Sequence, residues 1–126
     1  MRGRLLIADD SADMRESLRL VLERAGYEVR LAPDGMRALE LQRVAPADVL
    51  ITDIFMPDRD GLETITAFRR EFPATRIVAM SGGGVRVDGE LYLEIAGVAG
   101  ADVMLTKPFD PGALLQALND LAAARA

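Results

Sequence analysis

Val49-Leu50-Ile51-Thr52-Asp53 is a short apolar run that stops at an acidic side chain. It has three counterparts. Leu5-Leu6-Ile7-Ala8 runs into Asp9-Asp10, Ile77-Val78-Ala79-Met80 into Ser81, and Val103-Met104-Leu105-Thr106 into Lys107-Pro108. Short apolar runs bounded by turn signals read as strands buried on both faces of a parallel sheet. In an open α/β sheet the carboxyl ends of the strands converge on one rim, where ligands bind. Three carboxylates, a hydroxyl and an ammonium, far apart in the chain, are therefore expected to meet there.

Between these runs the pattern turns helical. Met14, Leu18, Val21, Leu22 and Ala25 keep the spacing of one helix face. Ser11 or Asp13 can cap its start and Gly26 can end it. Tyr27-Glu28-Val29-Arg30-Leu31 alternates apolar and polar, the signature of an edge strand with one wetter face. After the turn Pro33-Asp34-Gly35, a less clearly amphipathic helix reaches about Val44. Leu62, Ile65, Phe68 and Phe72 mark a third helix, and Leu91, Ile95 and Val98 a fourth. Asp110-Pro111 is an N-cap followed by proline at the first helical position, and Leu114, Leu115, Leu118, Leu121 and Ala122 stripe the fifth helix. Five alternations of strand and helix use up residues 1–126 as one domain. They imply a doubly wound α/β fold with helices on both faces. With the second strand at an edge, the order is 2-1-3-4-5, and the switch point lies between strands one and three, which end in Asp9-Asp10 and Asp53.

Composition removes whole classes of chemistry. The 126 residues include no cysteine and no histidine, so disulfides, thiolate catalysis, Ser-His-Asp triads and imidazole-bound zinc are excluded. A net charge of −5 argues against non-specific binding to nucleic acid. No run approaches the roughly 20 apolar residues of a membrane span. The basic start Met1-Arg2-Gly3-Arg4 lacks the small-residue cleavage pattern of a signal peptide, so a cytoplasmic location is expected.

Clustered carboxylates repel one another and recruit a cation or a proton. Three aspartates and one lysine leave two net negative charges, which one divalent ion neutralises. Mg²⁺ prefers oxygen ligands and keeps water and phosphate in its remaining positions. Asp10 and Asp53 are expected to ligate it, Asp9 to act through water, and the backbone carbonyl of Phe55 to be a further ligand. An aspartate can itself attack phosphorus to give an acyl phosphate. Asp53, on the central strand, is the nucleophile this reading selects. Lys107 and the Ser81 hydroxyl would stabilise the charge-rich transition state.

In this order and spacing, Asp9-Asp10, Asp53 with Met56-Pro57 and Asp60-Gly61, Ser81, and Lys107-Pro108-Phe109 resemble the receiver domain of two-component response regulators over essentially the full length. The resemblance implies a flavodoxin-like (βα)5 fold and a phosphohistidine donor on a sensor histidine kinase or histidine phosphotransfer protein. It implies Asp53 as phosphoacceptor, Mg²⁺ on Asp9 and Asp10, and phosphoryl contacts from Ser81 and Lys107. It also implies a cis Lys107–Pro108 bond. Output is expected by phosphorylation-dependent protein binding through the face of helix four, strand five and helix five, with turnover limited to slow autodephosphorylation. The chain is expected to be a monomer or a phosphorylation-dependent dimer, without nucleic-acid or membrane contacts. No DNA-binding or catalytic segment is expected after the fifth helix, although a receiver cut from a longer regulator would read the same way.

Two features depart from the family pattern. Met104 stands where an aromatic switch residue is usual, and methionine is too flexible to report a rotamer flip in the same way. Lys107 lies 26 positions after Ser81, several more than the family pattern, and the excess falls in Gly82-Gly83-Gly84-Val85-Arg86-Val87-Asp88-Gly89. Four glycines there make ordering costly, and ordering or partner binding of this segment is expected to replace the aromatic switch. Rival readings are an aspartate-nucleophile phosphatase of haloacid dehalogenase type, a non-phosphorylated pseudo-receiver, and a flavodoxin-like flavin carrier. The first needs Asp-x-Asp on the first strand. The last needs a hydroxyl-rich phosphate loop and ring-sandwiching aromatics. Of the remaining charges, Arg69-Arg70 reads as solvated helix surface.

Overall fold

The computed structural model describes residues 3–54, 61–81, 100–106 and 110–125. The apolar runs form β1 (Arg4–Ala8), β3 (Val49–Asp53), β4 (Arg76–Ser81) and β5 (Val103–Thr106), and β2 is Glu28–Ala32. All pairings are parallel, in the order β2-β1-β3-β4-β5. β2 lies at an edge, as its alternation implies, and its first four residues are only half-buried. It begins at Glu28 rather than Tyr27, because the Tyr27 N–H still belongs to the end of the preceding helix, donating to Leu22 O at 3.1 Å.

Helices α1 (Ala12–Arg24), α2 (Gly35–Val44) and α3 (Gly61–Glu71), together with the C-terminal helix (Pro111–Arg125), cover the sheet. Successive strand residues face opposite sides, and each side has its own core. Leu6, Ala8, Leu50, Ile77 and Ala79 pack with Ala38 and Leu39 of α2 and Ile65 and Phe68 of α3. Leu5, Ile7, Val49, Ile51, Val78 and Met80 pack with Leu18 and Leu22 of α1 and with Leu114, Leu118 and Leu121 of the C-terminal helix. Burial on both sides is why β1, β3 and β4 read as unbroken apolar runs; β5, expected to be buried on both faces, lies instead at the other edge and alternates half-buried with exposed residues. Ala122, placed by sequence on the C-terminal helix's stripe, is exposed. Among the described residues no helix is long and apolar enough to cross a membrane.

Ser11 is the cap of α1: its Oγ accepts from the Met14 N–H at 3.2 Å. Asp34 caps α2 in the same way. Gly26, at φ 100°, follows the C-cap of α1 in a conformation only glycine adopts freely. The buried Gln42 amide pins the turn between α2 and β3. Its Nε2 donates to Ala47 O and Thr75 Oγ1, both at 3.1 Å, and its Oε1 accepts from Ala47 N at 2.9 Å.

Arg69 is not the solvated side chain that sequence suggests. Its guanidinium donates to the backbone carbonyls of Pro73, Thr75 and Gly100 and to Asp102 Oδ2. Asp102 Oδ2 also accepts from the Ile77 N–H at 2.8 Å, so one ionic knot joins the end of α3 to the starts of β4 and β5. The expected fourth helix lies outside the described residues.

Candidate functional site

Register brings the strand ends together. Ala8 pairs with Thr52, Asp53 with Met80, and Ser81 with Thr106, so β1, β3, β4 and β5 finish side by side. Asp9 directly follows β1, Asp53 closes β3, and Ser81 closes β4. Thr106, the last residue of β5, immediately precedes Lys107. One carboxylate oxygen from each of Asp9, Asp10 and Asp53 lies within 4.8 Å of the others. Asp9 is 0% and Asp53 4% exposed, whereas Asp10 is exposed. Carboxylates this close, two of them withdrawn from water, favour a cation. An all-oxygen donor set fits a hard ion such as Mg²⁺, which takes one or two protein carboxylates and keeps water elsewhere.

The adjacent aspartates have different surroundings. The Asp9 N–H donates to Ala32 O at 3.1 Å, one carboxylate oxygen accepts the Ser11 N–H at 2.9 Å, and its carbonyl accepts Arg15 Nη1 at 2.8 Å. Asp9 is thus fastened to β2, to the first residues of α1 and to an arginine. Asp10 makes no hydrogen bond or ion pair among the described residues, which leaves its oxygens open to a ligand.

Asp53 is set by its neighbours. The buried Thr52 hydroxyl donates to Asp53 O at 2.9 Å, and the Ile54 N–H continues the strand pairing to Met80 O at 3.0 Å. Gly61, at the start of α3, sits against this strand end. A Cβ there would fall 2.3 Å from both Asp53 O and Ile54 Cα, and the Gly61 N–H donates to Ile54 O at 3.2 Å. Only a residue without a side chain lets α3 begin so close to Asp53.

Asp9, Asp10 and Asp53 therefore converge as the sequence suggests. Met104 pairs with Ala79 on the edge strand β5 and is 42% exposed. Phe55, Gly82, Lys107 and Pro108 lie outside the described residues, as does the glycine-rich segment. Arg15 and the packing role of Gly61 escaped sequence reasoning. The only signals were an arginine one helical turn after a capping serine and a glycine soon after an acidic strand end.

A five-stranded parallel sheet in this order, with an acidic cluster at the switch point, defines a CheY-like signalling fold. The chain belongs to the response regulator receiver domain family, whose family model matches residues 5–119. It is 34% identical over 123 residues to chemotaxis protein CheY of Thermotoga maritima, a match covering 97% of this chain and 99% of that protein. It is 39% identical over 124 residues to response regulator MprA of Mycobacterium ulcerans, covering 96% of this chain but only 50% of MprA. It thus spans about half the length of that relative. The solved structure of chemotaxis response regulator CheY4 of Vibrio cholerae matches with a TM-score of 0.83 and 33% identity, over 94% of this chain and 97% of that one.

Proposed function

We propose that residues 1–126 form one phosphoacceptor receiver, in which Asp53 takes a phosphoryl group from a phosphohistidine on a sensor histidine kinase or histidine phosphotransfer protein. The observation that carries this reading is the convergence of Asp9, Asp10 and Asp53 within 4.8 Å at the carboxyl ends of two central strands. An Asp53 oxygen attacks phosphorus, the P–N bond of the donor breaks, and its electron pair leaves with the imidazole nitrogen. The acceptor becomes an acyl phosphate. Asp10, Asp53 and the Phe55 carbonyl would hold Mg²⁺, with Asp9 acting through water. The bound ion supplies positive charge to a transition state spread over phosphoryl oxygens. Lys107, after β5, and Ser81, at the end of β4, contact those oxygens in this reading.

The module has no separate substrate; its own acyl phosphate hydrolyses slowly. Its output is a phosphorylation-dependent contact with another protein, made in the cytoplasm through the face that includes β5 and the C-terminal helix. Met104 on that face replaces the usual aromatic switch residue, and ordering of the glycine-rich segment after Ser81 takes over its part.

Intact mass after incubation with acetyl phosphate tests the reading, with and without Mg²⁺, on the wild type and on Asp53→Asn. A single phosphoryl gain that needs both Mg²⁺ and Asp53 is expected. No gain, or an undiminished gain in Asp53→Asn, overturns it.

A further inference from the structure

Arg15 is a half-buried cation whose guanidinium reaches the backbone of Asp9, one of the three clustered acids, yet it forms no ion pair among the described residues. Its side chain's single hydrogen bond among the described residues is the 2.8 Å contact from Nη1 to the Asp9 backbone carbonyl. The other arginines with ion pairs in the structure, such as Arg19, Arg43 and Arg69, hold carboxylates within 4 Å. A guanidinium carries five N–H donors in a rigid fork. Here one is used on a carbonyl, which fixes the charge at the rim without consuming the carboxylate oxygens that a metal needs.

We infer that Arg15 is a positioning and charge-setting residue: it makes the metal-loaded site net positive, weakening cation binding somewhat in exchange for attracting the phosphoryl group. This rests on the receiver reading above. With Lys107, which lies outside the described residues, counted at the site as the receiver reading has it, three carboxylates set against Arg15 and Lys107 leave one net negative charge. A divalent ion turns this into one net positive charge. Converting Asp53 to a dianionic acyl phosphate then brings the site to neutrality. Without Arg15 the loaded site is neutral before transfer and negative after it. Fixed charges placed where charge develops contribute most to such reactions, and an unpaired guanidinium keeps donors for a second anionic oxygen.

The two consequences have opposite signs. Arg15→Met removes repulsion toward the ion, so Mg²⁺ should bind about three- to tenfold more tightly in calorimetric titrations at low salt. The same change should slow phosphorylation by the dianion acetyl phosphate by about tenfold, and by less for the less charged phosphoramidate. Both differences should shrink at high ionic strength. Arg15→Lys keeps the charge and should stay near wild type in both assays. A merely structural arginine would instead weaken Mg²⁺ binding and phosphorylation together. That outcome, or no change in either, overturns the inference. Should the wild type accept no phosphoryl group at all, the receiver reading fails, while the calorimetric comparison still decides whether Arg15 opposes the cation.

Discussion

Replacing Gly61 by alanine isolates the contact that seats α3 against the candidate phosphoacceptor. The φ angle at Gly61 is not in the left-handed region, so the glycine is there for space and not for conformation. The added Cβ would start 2.3 Å from Asp53 O and Ile54 Cα and 2.9 Å from Ile54 C. Both neighbours are backbone and cannot swing aside. Opening these approaches to an ordinary separation of about 3.5 Å requires the first turn of α3 to retreat by roughly 1 Å. Overpacking of this kind costs about 1–3 kcal/mol. The 3.2 Å Gly61 N–H to Ile54 O bond is lost as well, at about 1 kcal/mol. The better helix propensity of alanine returns about 0.5–1 kcal/mol. The net expectation is about 2–3 kcal/mol of destabilisation in urea unfolding, with a melting midpoint lowered by about 10 °C. Displacing the Asp53 strand end by roughly 1 Å should also slow acetyl phosphate labelling by about 10- to 100-fold. Gly112→Ala is the control, because its Cβ would meet only the Asp110 carboxylate, whose nearest atom, Oδ2, is 3.5 Å away, and it should be neutral or slightly stabilising. A Gly61→Ala protein with wild-type stability and wild-type labelling would refute the argument.

Three further outcomes follow from polar contacts away from the cluster. Gln42→Leu strands Ala47 N–H, Ala47 O and the Thr75 hydroxyl in a buried turn, and should cost about 3 kcal/mol in urea unfolding, against under 1 kcal/mol if water replaces the amide. Arg69→Met unties α3 from Gly100 and Asp102, and should cost about 2 kcal/mol and speed amide exchange at Ile77 and Asp102 more than at β1. Hydrogen bonding from Arg43 lowers the Glu71 carboxyl below its ordinary range. This pair therefore stabilises the fold above the unfolded carboxyl pKa and loses its effect as pH falls through the lowered folded value. An NMR titration should show Glu71 returning to ordinary values in Arg43→Met.

How far the sequence could be read depends on what each signal encodes. Strands β1, β3 and β4 were legible because burial on two faces forces unbroken apolar runs, and a parallel sheet then dictates where their ends lie. Asp9, Asp10 and Asp53 followed from that geometry alone. Ser11 and Asp34 were legible as caps or turn residues because capping is a local, short-range event. Arg69 was misread because helical periodicity reports which face a residue occupies and says nothing of carbonyls from other segments, such as those of Gly100 and Thr75, that arrive beside it. Gln42 and Gly61 were opaque for the same reason. A buried amide and a glycine at a helix start look ordinary until the backbone they touch is in place.

Asp9 and Asp10 show why two neighbouring acids are not redundant. A strand end sends successive side chains in different directions. Asp9 turns into the protein, where the Ser11 N–H holds its carboxylate while Ala32 and Arg15 hold its backbone; Asp10 is exposed and makes no hydrogen bond or ion pair among the described residues. A fastened carboxylate presents a fixed charge at little entropic cost when a ligand arrives, but its hydrogen bonds restrict how it can ligate. A free carboxylate can move onto an ion, but only after losing side-chain freedom. In the receiver reading proposed above, the two together would hold an exchangeable cation in a preset field, and the Arg15 charge would make that field attract the phosphoryl donor. On this view the field at Asp53 depends on the pairing of β1 with α1 as much as on the acids themselves.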